Sequence, residues 1–136
     1  MNRLGNLYIA FLCLVLTGCS PKTEAGIDLD RLIDCIGMVE GNPWTRPGGL
    51  YGFTKATWRD FSSLPYGWAQ NPTQARKTAR KALRGAIQRM QAEGLTPSPY
   101  LLAVRWRWGY EGMRGRLNRQ DDYGQRVTNL YFDKIL

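Results

Sequence analysis

One carboxylate in this 136-residue chain stands where acid–base chemistry could be done. The run from Leu29 to Glu40 has apolar residues at helical spacing, and at about 100° per residue Glu40 falls roughly 20° from Leu29 and Ile33 on the apolar face. Burial and the negative end of the helix dipole both disfavour a charged carboxylate in the last turn. A carboxyl group that keeps its proton near neutral pH is the donor that cleavage of a glycosidic bond requires.

Glu40 has a simpler interpretation as well. A carboxylate at a helix end can be an ordinary surface group or one half of a buried ion pair, and structural ion pairs also perturb protonation. No second acidic residue stands near it in sequence, since Asp60 lies too far along the next helix and Asp121 and Asp122 look like helix caps. The chain contains no histidine, which excludes a Ser-His-Asp triad and a histidine zinc site.

Capping residues and periodicity predict the elements around Glu40. Asp28 is a plausible N-cap of the first helix, and Gly41 with Pro43 ends it. Three segments follow: a loop from Gly41 to Gly49, a short strand or extended wall from Leu50 to Thr54, and a short helix from about Lys55 to Phe61 that Thr54 caps.

The second half of the chain predicts three more helices, each with a capping residue. They run from Asn71 to about Glu93, from Ser98 to about Trp108, and from Asp121 onward, with a basic loop from Glu111 to Gln120 before the last. The first of them has an alanine-rich inner face and a basic outer face, which is either simply solvated or attracts anionic polymers and headgroups. The sequence therefore predicts a small, mainly α domain in which one short extended or β segment lines a groove.

The N-terminus is typical of a bacterial lipoprotein. Within residues 1–18, Arg3 precedes a short apolar run, and the sequence from Leu16 to Cys19 resembles a lipobox, which implies lipidation of Cys19 and cleavage before it. An ordinary secretory signal with a chance cysteine is the alternative. Residues 19–26 would then be the lipidated cysteine and a polar tether, and residues 27–136 one domain in which Cys35 is the only thiol.

The segment from residue 40 to residue 58 resembles a known superfamily. Its order E-G-N, then G-G-L-Y-G-F-T, then T-W resembles the lysozyme-like peptidoglycan-cleaving enzymes, of the soluble-lytic-transglycosylase and resuscitation-promoting-factor kinds. The resemblance implies an α+β lysozyme-like fold and Glu40 as the catalytic acid. It also implies a substrate groove lined by Gly49, Leu50, Tyr51, Phe53 and Thr54. The chain departs from the family where Gly41 replaces a serine and where Thr54 or Lys55 replaces a groove glutamine.

Three aromatic residues farther along extend the resemblance. Trp106 and Trp108 stand where the family's groove wall is, although Arg107 replaces its asparagine, and one of the two rings is expected in the core without the sequence saying which. Tyr123 stands where the family's last helix places a tyrosine that points at the catalytic glutamate. Plain helix periodicity would equally make Tyr123 a packed core residue.

The resemblance implies a peptidoglycan lytic transglycosylase or muramidase that cleaves the β-1,4 bond between N-acetylmuramic acid and N-acetylglucosamine. It implies no metal and no cofactor. The expected partners are peptidoglycan glycan strands and, through the lipid anchor, a membrane, with no nucleic acid; protein partners stay unknown. The expected location is the bacterial envelope, at the periplasmic face of the outer membrane. The alternatives are an inactive, lipid-anchored peptidoglycan-binding or structural protein and an envelope-disrupting lipoprotein that acts through its basic face.

Overall fold

The computed structural model describes residues 23–133. The predicted signal peptide, the lipobox with Cys19 and the first part of the tether lie outside these residues. Among those described, two short strands and five α-helices succeed one another, with a 3-10 helix at Tyr66–Gln70. They are β1 Thr23–Glu24, β2 Ile27–Asp28, α1 Leu29–Glu40, α2 Lys55–Phe61, α3 Pro72–Ala92, α4 Pro99–Arg114 and α5 Asp122–Phe132. The mainly α class predicted from the sequence is confirmed.

The two strands form an antiparallel hairpin just before α1. Its two-residue turn consists of Ala25 and Gly26, which both have positive φ (52° and 76°), as a turn of type I′ requires. Glu24 forms an ion pair with Arg84 of α3 at 3.0 Å, so the hairpin is attached to the domain. Residues 23–26, which were predicted to belong to the tether, thus lie in this hairpin.

Helix α1 packs in the middle of the domain. Its Leu32, Ile33 and Ile36 are at most 1 % exposed and pack with α3, α4 and α5 in a single core. The buried face of α3 is the alanine-rich one that the sequence predicted: Ala75, Ala79, Ala82, Leu83, Ala86, Ile87 and Met90. Because alanine side chains are small, the helices can approach closely there.

The expected strand or extended wall at Leu50–Thr54 does not form. Residues 50–52 are turn, and the described strands are those of the N-terminal hairpin. The turn is set by close packing, because Gly49 has φ 65° and a Cβ added to it would lie 2.0 Å from the carbonyl oxygen of Ala69. A side chain at Gly49 would therefore displace the backbone around Ala69.

Helix α4 does not end near Trp108 as predicted. Gly109 interrupts it with φ 76° and ψ 174°, and the helix then resumes and runs to Arg114. The first four residues of the loop predicted from Glu111 to Gln120 are therefore helical, and the rest is turn, bend or irregular. The break turns Trp108 and Arg107 out of the helix packing, and both side chains are exposed. No described helix is both long and apolar enough to cross a membrane.

Candidate active site

Glu40 is the last residue of α1 and is half-buried. The hydroxyl group of Tyr123, at the start of α5, donates a hydrogen bond to Glu40 Oε1 at 2.8 Å. Gly41 ends α1 in the left-handed conformation (φ 61°), so the chain turns away immediately after the carboxylate. Two residues that are 83 positions apart in the chain are thus joined at the end of a helix.

Tyr123 is only 6 % exposed, and that burial determines its chemistry. Burial raises the pKa of its phenol, and the nearby charge of Glu40 raises it further. The hydroxyl therefore keeps its proton at all ordinary pH values and acts as a hydrogen-bond donor. Tyr123 can orient the Glu40 carboxyl group but cannot readily exchange protons with it.

The other oxygen of Glu40 faces the loop that follows α1. The side-chain nitrogen of Asn42 lies 3.5 Å from Glu40 Oε2, and Arg46 donates to the Asn42 oxygen at 2.9 Å, which fixes the direction of the amide. A Cβ added to Gly52 would lie 3.2 Å from Oε2. The missing side chain at Gly52 therefore leaves this side of the carboxyl group open.

Glu40 opens into a cleft of about 600 Å³, here called the Glu40 cleft. Arginines are its most numerous side chains, and its remaining lining is mostly polar. It is lined by Val39, Glu40, Arg107, Trp108, Arg116, Arg119, Gln120, Asp121, Asp122, Tyr123 and Arg126. The clustering of basic side chains around one carboxylate comes from α4, the turn after it, and α5.

A second cleft of about 300 Å³, here called the Thr54 cleft, adjoins the first. Its wall includes Gly52, Thr54 and Thr57, and it shares Arg107 and Trp108 with the Glu40 cleft. Because two side chains line both clefts, the two form neighbouring parts of one surface depression. A polymer lying along it would pass Gly52 and reach Glu40.

The structure separates the roles of the two tryptophans. Trp106 packs against Phe53 with ring centroids 5.2 Å apart, and its indole nitrogen donates to the Tyr51 carbonyl oxygen at 3.0 Å. Trp108 is 44 % exposed, and its indole nitrogen donates to Asp121 Oδ2 at 2.8 Å. The guanidinium carbon of Arg116 lies 4.1 Å from the Trp108 ring centroid, so one ring face is covered. Trp108 is the exposed one of the two, and its ring is held at one edge and covered on one face. Trp106 is partly buried but also lines the Thr54 cleft.

Most of the groove side chains implied by the resemblance are structural. Tyr51 and Phe53 are each only 4 % exposed. Tyr51 lines neither cleft, whereas Phe53, although buried, forms part of the wall of the Thr54 cleft. Gly49 is buried against Ala69, as described above, and Leu50 packs over Gly37. Thr54 is exposed in the Thr54 cleft, and its hydroxyl also caps α2 by accepting from the Thr57 amide.

Asp122 corrects the expectation that both C-terminal acids are only helix caps. Asp121 is the cap, since its Oδ1 accepts from the Gly124 amide and its Oδ2 from Trp108. Asp122 instead lines the Glu40 cleft with its side chain exposed, and its carboxylate has no hydrogen-bond or ion-pair partner within residues 23–133. The cleft thus contains a second carboxylate that is free to act.

Several lining residues were not selected from the sequence. Asn42 belongs to the E-G-N motif, but its contact with Glu40 depends on which way its side-chain amide points. The sequence did mark the region after α4 as basic, although it gave no reason to place Arg116, Arg119 and Arg126 beside Glu40. That placement depends on how α4 and α5 pack, which no local pattern encodes.

Comparisons with known proteins identify no relative of this chain. Scans of family models, of curated proteins and of solved structures each gave no match. In the described part of the chain, no group of three or more acidic or cysteine side chains is placed to hold a metal ion. The functional proposal therefore rests on the geometry of the site and on the sequence motif.

Proposed function

We propose that this protein is a peptidoglycan lytic transglycosylase that uses Glu40 as its single acid and base. The observation that supports this most directly is the Tyr123–Glu40 hydrogen bond at the end of α1, in a cleft of about 600 Å³. A structural ion pair does not explain Glu40, because none of the ion pairs of residues 23–133 includes it. The motif around Glu40 supports the same class of enzyme.

The proposed reaction consumes no water. The Glu40 carboxyl group gives its proton to the glycosidic oxygen as the bond from that oxygen to C1 of N-acetylmuramic acid breaks. The 6-hydroxyl group of the same sugar then bonds to C1 and forms the 1,6-anhydro ring. Its proton returns to the Glu40 carboxylate, so that the enzyme is restored and every atom is accounted for.

The surrounding residues have defined parts in this reaction. Tyr123 keeps one carboxyl oxygen in place, which leaves Oε2 to face the substrate. Gly52 leaves room at Oε2 for the glycosidic oxygen, and Asn42 contacts the same atom from the side. Proton transfer to a leaving group by a positioned acid contributes about 10²–10⁴-fold to a rate. The structure orients one carboxyl group, which would act as the acid. This is consistent with a reaction in which the nucleophile is the 6-hydroxyl group of the substrate.

The decisive experiment is mass spectrometry of the products from purified peptidoglycan sacculi. The native protein should release muropeptides with 1,6-anhydro ends. Glu40→Gln, which keeps the size of the side chain but removes the acid, should lower this release by at least about 10²-fold. Glu111→Gln serves as the matched control, because Glu111 is exposed and pairs only with Arg89 at the surface.

Each product pattern has a definite meaning. Anhydro products that depend on Glu40 support the proposal. Products with reducing ends would show hydrolysis, and Asp122 would then be the candidate base, to be tested by Asp122→Asn. Release of neither product, with sacculus binding intact in both proteins, would reject the enzyme and favour an anchored peptidoglycan-binding protein.

A further inference from the structure

Four guanidinium groups converge on the Glu40 cleft from three parts of the chain. One comes from the last turn before the break in α4, two from the turn after α4, and one from α5. They belong to Arg107, Arg116, Arg119 and Arg126. The cleft contains three carboxylates, so the basic groups outnumber the acidic ones by 4 − 3 = 1.

Three of these four arginines lack a carboxylate partner. Within residues 23–133, no acidic side chain lies at ion-pairing distance from Arg107, Arg119 or Arg126, and all three are exposed. Arg116 differs, because it lies 3.9 Å from Asp121 and covers the Trp108 ring. The first three are thus available to a ligand, whereas Arg116 stabilises the wall of the cleft.

The arginines of α3 show the opposite behaviour. Arg76 pairs with Asp34 at 2.7 Å, and Arg80 and Arg84 pair with Asp30 and Glu24. Four arginines on that helix, including Arg89, have acidic partners and connect α3 to neighbouring parts of the fold. The arginines of α3 thus hold parts of the fold together, whereas Arg107, Arg119 and Arg126 share a cavity with Glu40 and have no carboxylate partner within residues 23–133.

We infer that Arg107, Arg119 and Arg126 bind free carboxylates of the substrate, so that the protein selects glycan strands that carry acidic stem peptides over neutral glycans. This inference rests on the proposed function and names the substrate class of the same site. In peptidoglycan, the stem peptides branch from muramic acid and carry free carboxylates beside the bond that Glu40 would cleave. Guanidinium groups match carboxylates in shape and can bond to both oxygens at once.

Asp122 is the side chain that opposes this binding. Its unpaired carboxylate lines the same cleft and lies one helical turn from Arg126, without forming an ion pair with it. Neutralising Asp122 should strengthen the binding of acidic strands, whereas a site for neutral sugars would not respond.

The test compares two forms of one ligand by isothermal titration calorimetry with Glu40→Gln protein, which cannot consume it. The ligands are soluble glycan strands with intact stem peptides, and the same strands after their carboxylates are converted to neutral amides. Arg119→Gln combined with Arg126→Gln should weaken the binding of the acidic strands about tenfold, which corresponds to about 1.4 kcal/mol for the two exposed pairs together. Binding of the amidated strands should not change. Lys77→Gln with Lys81→Gln removes the same charge from the exposed face of α3 and should have no effect on either ligand.

The outcomes separate this inference from the proposed function. Equal affinity of the Glu40→Gln protein for both ligands would overturn the inference, as would an equal loss in the lysine control. If the native protein cleaves acidic and amidated strands at the same rate, the inference fails while the proposed function stands. If the native protein cleaves nothing but the arginine-dependent preference for acidic strands persists, the enzyme proposal fails and carboxylate recognition stands.

Discussion

The Tyr123 hydroxyl donates to Glu40 at 2.8 Å, and the Tyr110 hydroxyl makes the same kind of bond to Glu93 at 2.6 Å, away from both clefts. Tyr123→Phe should cost about 1–2 kcal/mol of unfolding free energy, because a half-buried carboxyl oxygen loses its donor. It should also lower activity roughly 10- to 100-fold, because the acid loses its fixed position. Tyr110→Phe should affect stability in the same direction and leave activity unchanged. Urea denaturation and product release, measured on the same samples, check this pair, and an equal activity loss in both variants contradicts it.

Gly52 allows a test of the open side of Glu40. Gly52→Ala introduces a methyl group about 3.2 Å from Glu40 Oε2 and strains a backbone with φ 67°, whereas Gly26→Ala strains a similar backbone (φ 76°) with no atom within 4 Å. Both changes should destabilise the protein by about 1–2 kcal/mol. Only Gly52→Ala should reduce product release. Loss of activity in the Gly26 variant as well would indicate that strain alone is responsible.

Single residues differ in how far the sequence predicts them. Glu40 and Tyr123 lie on regular helices, where periodicity fixes the face and the family motif suggests the pairing. The sequence does not show which of Trp106 and Trp108 lies in the core, because each lies near one side of the same apolar stripe. The burial of Tyr51 and Phe53 was not predictable, since they lie in an irregular turn and are covered by a tryptophan about 50 residues away in the chain.

At the scale of elements, the helix starts were the most reliable predictions. Asp28, Thr54, Asn71, Ser98 and Asp121 each accept a hydrogen bond from a backbone amide three residues later, as expected for N-caps. Capping depends on a few neighbouring residues, so a sequence shows it directly. The continuation of α4 was missed because the segment from Glu111 to Gln120 is basic and contains glycines, which predicted a loop. In the structure a Cβ on Gly112 would lie 2.8 Å from Trp108 Cβ, so this glycine makes room for the tryptophan inside a helix.

The break in α4 is an element-scale feature with a testable consequence. Gly109→Ala places a side chain at φ 76° in open space, so its cost is conformational, about 1–2 kcal/mol. Because the break positions Arg107 and Trp108, it should also weaken the binding of acidic strands. Gly94→Ala is the matched control, with φ 75° and open space but no contact with the clefts. Urea denaturation should show a similar loss of unfolding free energy in both variants. Calorimetry should show weaker binding of acidic strands for Gly109→Ala alone. Unchanged binding in that variant would contradict the role given to the break.

At the scale of the whole molecule, the site depends on contacts between distant segments. Glu40 comes from α1, its orienting tyrosine from α5, and the arginines from α4, the following turn and α5. The sequence showed that the chain is basic, with a net charge of +8, but not which arginines would be paired. Pairing is decided by packing. The acidic residues of α1 face α3 and pair with two of its arginines, whereas three arginines of the Glu40 cleft have no acidic partner within residues 23–133.

The same packing buries groups that lose protons only at alkaline pH, which predicts the pH dependence of stability. Burial raises the pKa of the Cys35 thiol and of the Tyr51, Tyr110 and Tyr123 phenols above their ordinary values of 9.0 and 10.0. Above those values the unfolded chain releases protons that the folded chain retains, so the unfolding free energy should decrease as pH rises.

Since the chain has no histidine, no imidazole contributes to a change in the unfolding free energy between pH 6 and 8. Above about pH 9 to 10 it should fall, by up to about 1.4 kcal/mol per pH unit for each group that titrates only when unfolded. Urea denaturation at intervals from pH 6 to 11 measures this. The decrease should be shallower in Tyr123→Phe, because one such group is removed. Two results would contradict this prediction: an unfolding free energy that stays constant to pH 11, or the same slope against pH in Tyr123→Phe as in the native protein. Either would show that these phenols ionise without unfolding and that the Tyr123 proton is not held as the proposed mechanism requires.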